Sequence, residues 1–194
     1  MKKIILFFLA TILTFVISSC SKTVEVAPPT VVGVWKKGGL GVVTDTKTVD
    51  ATTDDIKKLD ANAGNNFAAQ TYEFKADGTS IISNTSGTGK NDAGKYVVSA
   101  DGKTLTITST TTKDSKGNPA VQAFEILNLT NSEMKFAVGK LTKKDTDGQF
   151  VVDLLSIDFA VYIYGLYVFT AKGFDGDKEM KAAKTLTATF NLKK

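Results

Sequence analysis

Two Ala-Asp-Gly turns, 24 residues apart, constrain the fold of this 194-residue chain more than any other feature. Asp77-Gly78 and Asp101-Gly102 each lie between two runs in which apolar and polar residues alternate. An Asp-Gly pair in that setting is the strongest short-range signal for a β-hairpin, because glycine accepts the positive φ that the turn requires. The sequence therefore predicts two hairpins. One joins residues 69–75 to 79–85, and the other joins residues 94–99 to 103–109.

The same alternation predicts a third hairpin, from residues 121–129 and 133–141. Leu129 breaks the alternation, which indicates a β-bulge near Asn128. In all three hairpins one face of each strand is apolar and the other is polar, as is typical of an antiparallel sheet with one wet face. We therefore expect an all-β protein.

Three further segments complete the predicted chain. Residues 31–36 and 184–192 are rich in apolar residues and are expected to form the first and last strands. Gly38-Gly39 interrupts the first strand, and residues 40–44 could resume it. Residues 54–59 are expected to form one short helix, with Thr52 or Thr53 as its N-cap. Residues 150–171 are the most apolar part of the chain after the N-terminus, and their Val, Ile, Tyr and Phe content favours a strand.

The composition excludes several kinds of catalytic site. The chain has no histidine and no arginine, so all 24 basic residues are lysines. Catalysis by a Ser-His-Asp triad, a Cys-His pair or a histidine-based zinc site is therefore excluded. The scattered lysines also argue against a nucleic-acid surface. We expect a protein that is not an enzyme and that has no cofactor.

The acidic residues were considered as metal ligands or catalytic carboxylates. Asp145-x-Asp147-Gly148 and Asp175-x-Asp177-x-Glu179 resemble fragments of calcium loops, but both lack the remaining ligands, so we interpret them as turns. Asp153 and Asp158 interrupt the apolar segment and are the best candidates for a carboxylate pair. They would point to opposite faces of a straight strand, so we expect neither catalysis nor a metal site.

The N-terminus has the pattern of a secretory signal: Lys2 and Lys3, an apolar run over residues 4–17, and small residues before Cys20. A retained membrane helix is the alternative, but the run is shorter than the roughly 20 residues that a span needs. Ile17-Ser18-Ser19-Cys20 resembles a bacterial lipobox. That resemblance implies that residues 1–19 are removed as a lipoprotein signal peptide and that Cys20 receives acyl chains such as palmitate.

The same resemblance implies where the mature protein is held. Residues 20–30 would form a lipidated tether, and residues 31–194 would form one domain. No aspartate follows Cys20, which by lipoprotein sorting favours the outer membrane over the inner membrane. We expect an outer-membrane lipoprotein of the cell envelope, on the periplasmic face, with surface exposure left open. Its predicted membrane partner is the lipid bilayer, reached through the acyl chains.

The strand pattern resembles the lipocalin-like domains of Gram-negative lipoproteins. The resemblance rests on Gly33-x-Trp35 in the first strand, on the turn glycines Gly78 and Gly102, and on Phe124-x-Ile126-x-x-Leu129. It implies an antiparallel up-and-down β-barrel of about eight to nine strands with a short helix, which would remove the open edges of the sheet. A β-sandwich is the second choice. In the barrel, the ring of Trp35 would close the base.

A barrel of about eight strands either is filled by side chains or holds one small ligand, and the sequence leaves both open. If a cavity exists, we expect aromatic side chains to line it: Tyr72, Phe74, Tyr96, Phe124, Phe136 and Phe169. The resemblance then implies non-catalytic binding of a small apolar ligand. The alternative is a protein-interaction or structural accessory subunit at the outer membrane, using an exposed Tyr-rich strand over residues 159–169. The identity of the ligand, the partner proteins and the oligomeric state are left open.

Overall fold

The computed structural model describes residues 29–85, 90–143, 150 and 157–194. Within these residues the chain forms nine strands and four helices. Their bounds, in chain order, are β1 Gly33–Thr44, β2 Thr48–Thr52, α1 Thr53–Leu59, α2 Ala61–Ala68, β3 Thr71–Phe74, β4 Thr79–Thr85, β5 Lys90–Val98, β6 Thr104–Lys113, β7 Pro119–Leu129, β8 Glu133–Thr142, α3 Ile157–Ala171, α4 Gly176–Ala182 and β9 Thr185–Lys193.

The strands form one antiparallel sheet that closes into a barrel. Strands β3 to β8 each pair with the next strand along the chain, and β9 returns to pair with β1 over residues 36–44. On its other edge, β1 pairs with β3 over residues 33–36 and with β2 over residues 39–43. Eight strands therefore close the barrel, and β2 is an additional strand. This arrangement confirms the predicted up-and-down barrel and is not a β-sandwich.

The two Ala-Asp-Gly turns lie where the sequence predicts. Gly78 has φ of +83° and Gly102 has φ of +71°. In both loops the glycine N–H closes the turn, bonding to the carbonyl of Lys75 at 3.1 Å and of Ser99 at 2.8 Å. The Asp-Gly pair thus fills the third and fourth positions of the turn, not its two central positions, and the loop is longer than a two-residue turn.

The predicted bulge in the third hairpin is also present. The pairing of β7 with β8 shifts register between Ile126 and Asn128. A second bulge, which was not predicted, lies in β1 between Lys37 and Gly39. Before this bulge the odd-numbered side chains of β1 point into the barrel, and after it the even-numbered ones do. As a result, Lys37 points inward directly before the change.

The prediction of a strand within residues 150–171 is wrong, because residues 157–171 form the helix α3. Val161, Gly165, Val168 and Phe169 form its inward face, a spacing of three and four residues that fits a helix. The β-branched and aromatic content favoured a strand, but tertiary packing overrode that local preference. Both alternating faces of the segment are apolar, and that pattern suits a buried helix as well as a buried strand.

The remaining helices differ in how well local sequence signals predicted them. Helix α1 has the predicted N-cap at Thr52, in a capping box with Asp55. Helix α2 was not predicted, and its sequence, ANAGNNFA, contains few strong helix formers. Asp175, which was interpreted as part of a turn, caps α4 by accepting from the N–H of Lys178. No helix in the described part of the chain has the length and hydropathy needed to span a bilayer.

The barrel has a closed end and an open end. Three hairpin turns, β3–β4, β5–β6 and β7–β8, lie at the closed end, together with both ends of the described chain. There the fully buried Trp35 donates from Nε1 to the carbonyl of Val31 at 2.7 Å. Lys194 places its Nζ 4.5 Å from the centre of the indole ring. Phe74, Leu105 and Leu192 are each at most 1% exposed, so side chains fill this end.

Candidate ligand-binding cavity

A cavity of about 900 Å³ lies toward the open end of the barrel and is partly open to solvent. Its walls come from the barrel interior and from helices α1, α2 and α3, and its size is typical of small-molecule sites. The lining side chains from the helices are Ile56, Asn66, Phe67, Ala160, Ile163, Tyr164 and Tyr167. Those from the barrel include Lys37, Leu40, Tyr72, Ile82, Asp92, Gln122, Phe124, Val138 and Phe190, with Gln70 before β3.

The helices reach this cavity because the barrel wall is incomplete at the open end. Strand β3 covers only residues 33–36 of β1, and β2 pairs with the same edge further along. The two helices between β2 and β3 lie at this discontinuity, and α3 contacts α1, β1, β2, β8 and β9. Side chains therefore fill the barrel at its closed end, and the interior is hollow toward its open end. The sequence left a filled barrel and a barrel with a cavity open as alternatives, and the structure combines them.

Lys37 is the most unusual residue of the cavity. It is 8% exposed, and its Nζ lies 3.8 Å from the ring centre of Phe190 and 4.3 Å from that of Phe67. The ring of Tyr72 is further away, at 5.9 Å. Contacts between a cation and ring faces at these distances are favourable, by about 0.5 to 2 kcal/mol. Burial nevertheless lowers the pKa of Lys37 from 10.5 to about 7, because an ammonium is poorly solvated there.

The tyrosines beside this lysine respond to the same apolar surroundings. Burial raises the pKa of Tyr72, and the neighbouring Tyr164 raises it further. Burial also raises the pKa of Tyr164 itself. The hydroxyl of Tyr72 donates to Gln70 Oε1 at 3.3 Å. Both phenols are therefore neutral hydrogen-bonding groups at physiological pH.

Asp92 is the acidic side chain that lines the cavity. Its Oδ1 accepts hydrogen bonds from the hydroxyls of Ser109 and Thr111 on the adjacent strand. Among the described residues, Lys37 Nζ has no carboxylate oxygen within 4 Å and no hydrogen bond. The cavity thus contains a lysine and an aspartate whose side chains do not form an ion pair with each other.

Of the six aromatic residues predicted to line a cavity, Tyr72 and Phe124 do so. Phe74 and Phe136 are 1% exposed and belong to the core below the cavity. The Tyr96 ring packs 5.0 Å from Phe74, and its hydroxyl donates to the carbonyl of Lys75 at the closed end. Phe169 is fully buried in α3, where its ring lies 6.2 Å from that of Phe174. These four residues do not line the cavity.

In the described part of the chain, the acidic residues that resemble calcium-loop fragments or a carboxylate pair do not come together in a metal or catalytic site. Asp158 lies in the first turn of α3, while Asp153, Asp145 and Asp147 lie outside the described residues, as does Cys20. Glu179 forms an ion pair with Lys47 at 2.8 Å. No group of three or more acidic, cysteine or histidine residues suited to a metal ion occurs within the described ranges.

Sequence reasoning missed Lys37, Phe67 and Phe190, which form the centre of the site. One signal was available for Lys37: it follows Trp35 by two residues, so it points to the same face of the strand. Phe190 lies in the predicted last strand, but nothing in the sequence placed it beside Lys37. Phe67 lies on the helix that was not predicted.

Neither any protein-family model nor any curated protein sequence matches this chain. Solved structures that are similar to it include the following two. One is a lipocalin-like protein from Bacteroides uniformis ATCC 8492, with 14% sequence identity and a TM-score of 0.32, covering 54% of this chain and 86% of that one. The other is an uncharacterized protein from Bacteroides eggerthii DSM 20697, with 17% identity and a TM-score of 0.32, covering 54% of this chain and 88% of that one.

Proposed function

We propose that this protein binds a small, largely apolar molecule in the cavity between the barrel and its helices. The observation that carries the proposal is the cavity of about 900 Å³, with apolar and aromatic walls and a small number of polar groups. Ligand sites in proteins generally have this composition, in which apolar walls provide affinity and a few polar groups orient the ligand. Binding without catalysis remains our hypothesis.

Binding of a neutral fluorescent dye such as N-phenyl-1-naphthylamine tests this proposal. We expect saturable binding of one dye per chain. Ala160 lines the cavity, so Ala160→Phe should fill part of it and weaken binding at least tenfold, which corresponds to about 1.4 kcal/mol. Ala182→Phe is the matched control, because Ala182 is exposed on α4. Circular dichroism establishes that both variants are folded. Equal dye binding by both variants would contradict the proposed site.

The accessory-subunit hypothesis required an exposed, Tyr-rich strand over residues 159–169. That segment is helical, and its residues Tyr164 and Tyr167 line the cavity. The surface on which the hypothesis depended is therefore smaller than predicted. Ligand binding is better supported by the described residues.

We also propose, from the sequence alone, that acyl chains on Cys20 anchor the protein to the outer membrane at its periplasmic face. Cys20→Ala removes the only cysteine in the chain. The variant should move from the detergent phase to the aqueous phase on phase partitioning, while Ser21→Ala should stay with the parent protein. A Cys20→Ala protein that stays in the detergent phase would contradict lipid anchoring.

A further inference from the structure

The buried ammonium of Lys37 points into the cavity without an anionic partner. Its side chain is 8% exposed, and within the described part of the chain its Nζ contacts only the faces of aromatic rings. Buried charges in proteins are generally paired, because an unpaired charge in an apolar environment is costly. The ring faces offset only part of that cost. An anion bound in the cavity beside Lys37 would therefore stabilise the charged side chain.

The surroundings of Lys37 limit the kind of anion. Among the described lining residues Lys37 is the only lysine, and the chain has no arginine, so one negative charge is the most that these residues can balance. The other lining residues near α3 include Ile163, Tyr167 and Phe124, which suit an apolar body. A phosphate dianion would need more donors than one ammonium provides. These features favour a monoanion with an apolar chain.

We propose that the cavity takes a single-chain amphiphile with one carboxylate, which pairs with Lys37 Nζ while the apolar chain lies against the helices. This inference rests on the proposed function, since it requires that the cavity bind a ligand. It goes further by assigning the head group of the ligand and the residue that recognises it. Phe67 and Phe190 hold the ammonium in place, and Gln70 lies beside the same region of the cavity.

The pairing predicts a definite pH dependence. Burial lowers the pKa of the unliganded Lys37 to about 7, and a bound carboxylate would raise it again. Binding should therefore be tightest below about pH 7, as long as the carboxylate of the ligand is ionised. It should weaken as the pH rises above 7. Among the described residues, the other titratable side chains that line the cavity are Asp92, Tyr72, Tyr164 and Tyr167. Burial raises the pKa of Tyr72 and Tyr164, so both stay neutral over the range from pH 6.5 to 8.5 used below.

Displacement of the neutral dye by dodecanoate and by dodecanol separates the head-group inference from the proposed function. At pH 6.5 we expect dodecanoate to bind at least about tenfold more tightly than dodecanol, because a charge-assisted pair is stronger than a neutral hydrogen bond. At pH 8.5 this preference should decrease. Lys37→Met should retain dye and dodecanol binding but lose the preference. Lys140→Met, on the exposed side of β8, should behave as the parent protein.

Each outcome decides one of the two proposals. If the protein binds the dye but binds dodecanoate and dodecanol equally tightly, the carboxylate assignment is overturned and the proposed function stands. A preference for dodecanoate that persists in Lys37→Met would also overturn the assignment. If the dye does not bind, calorimetric titration with dodecanoate decides directly: no heat of binding would overturn both proposals, and binding that Lys37→Met abolishes would support both.

Discussion

The buried Lys37 lowers the stability of the folded chain when its side chain is charged. Lysine is rarely buried without a partner, and here the ammonium is held only by ring faces among the described residues. Its pKa is about 7 in the folded chain and 10.5 when fully solvated. Below pH 7 the folded state must hold the charge inside the barrel, and this lowers the free energy of unfolding.

The sign of the resulting pH effect is opposite to that of a lysine whose pKa is raised by an ion pair. Between pH 7 and 10.5 the unfolded chain binds the proton that the folded Lys37 has lost, so the free energy of unfolding rises with pH in that window. The slope approaches about 1.4 kcal/mol per pH unit for one group. Denaturant unfolding without ligand, at pH 7.5 and 9, should show this rise in the parent protein.

Lys37→Met should remove that rise, because methionine carries no proton in either state. The variant should also be more stable than the parent protein at pH 6.5, since it has no buried charge. Lys140→Met, at an exposed position, should keep the slope of the parent protein. An unchanged slope in Lys37→Met would show that Lys37 is solvated in the folded state.

Gly41 illustrates a residue whose missing side chain makes a polar cluster possible. It lies on β1 between Asp50 of β2 and Thr189 of β9, and a Cβ at this position would overlap both side chains. Asp50 therefore reaches across β1 to Asn191 at 3.0 Å and to Lys135 at 2.8 Å. This contact links the additional strand β2 to the barrel on its outer face.

At the level of elements, α1 depends on polar contacts at its first turn. Asp55 Oδ2 accepts from the backbone N–H of Thr52 at 3.0 Å and from its hydroxyl at 2.9 Å. The same carboxylate pairs with Lys172, just after α3, at 3.3 Å. Hydrogen bonds from Thr52, followed by the charge of Lys172, lower the pKa of Asp55 to about 2. One carboxylate thus caps α1 and connects it to α3.

Asp55→Ala should lower the free energy of unfolding by about 1 kcal/mol, the usual effect of losing a cap. For a chain of this size that corresponds to about 2 to 4 °C in melting temperature. Asp54→Ala is the control. The Asp54 side chain is 81% exposed, and its ion pair with Lys57 is long, with 3.7 Å between Oδ1 and Nζ. The contribution of Asp55 should be complete above about pH 4 and lost as the pH falls through 2.

Thermal unfolding of the two variants at pH 7 and pH 2 checks this assignment. A difference between Asp55→Ala and the parent protein that is as large at pH 2 as at pH 7 would mean that the carboxylate charge is not responsible. Equal effects of Asp54→Ala and Asp55→Ala at pH 7 would point instead to general helix propensity.

At the level of the whole molecule, the hairpins could be predicted from sequence because their signals are local. Gly78, Gly102 and the bulge near Asn128 are each specified by a few neighbouring residues. Helix α3 could not be assigned in this way, since its apolar residues suit a buried strand as well as a buried helix. Its conformation is decided by packing against β8, β9 and β1, which are three separate strands and of which β1 lies more than 100 residues away in sequence.

The cavity was still less accessible to sequence reasoning. Lys37, Phe67, Tyr72 and Phe190 come from four different elements, and only the closed barrel brings them together. The bulge after Lys37 also changes which side chains of β1 point inward, so alternation alone could not be extended along the strand. Of the predicted aromatic lining, Tyr72 and Phe124 lie at the cavity, while the other four residues lie in the core, at the closed end or within α3.

The closed end of the barrel also determines how the molecule would stand on a bilayer. The described chain begins at this end, where Val31 accepts the hydrogen bond from Trp35. Under the proposed anchoring, residues 20–30 would join that end to the lipid and span at most roughly 35 Å. The mouth at the opposite end would then face away from the membrane, toward the aqueous compartment. In that orientation a ligand would enter from solution or from a carrier that meets the rim.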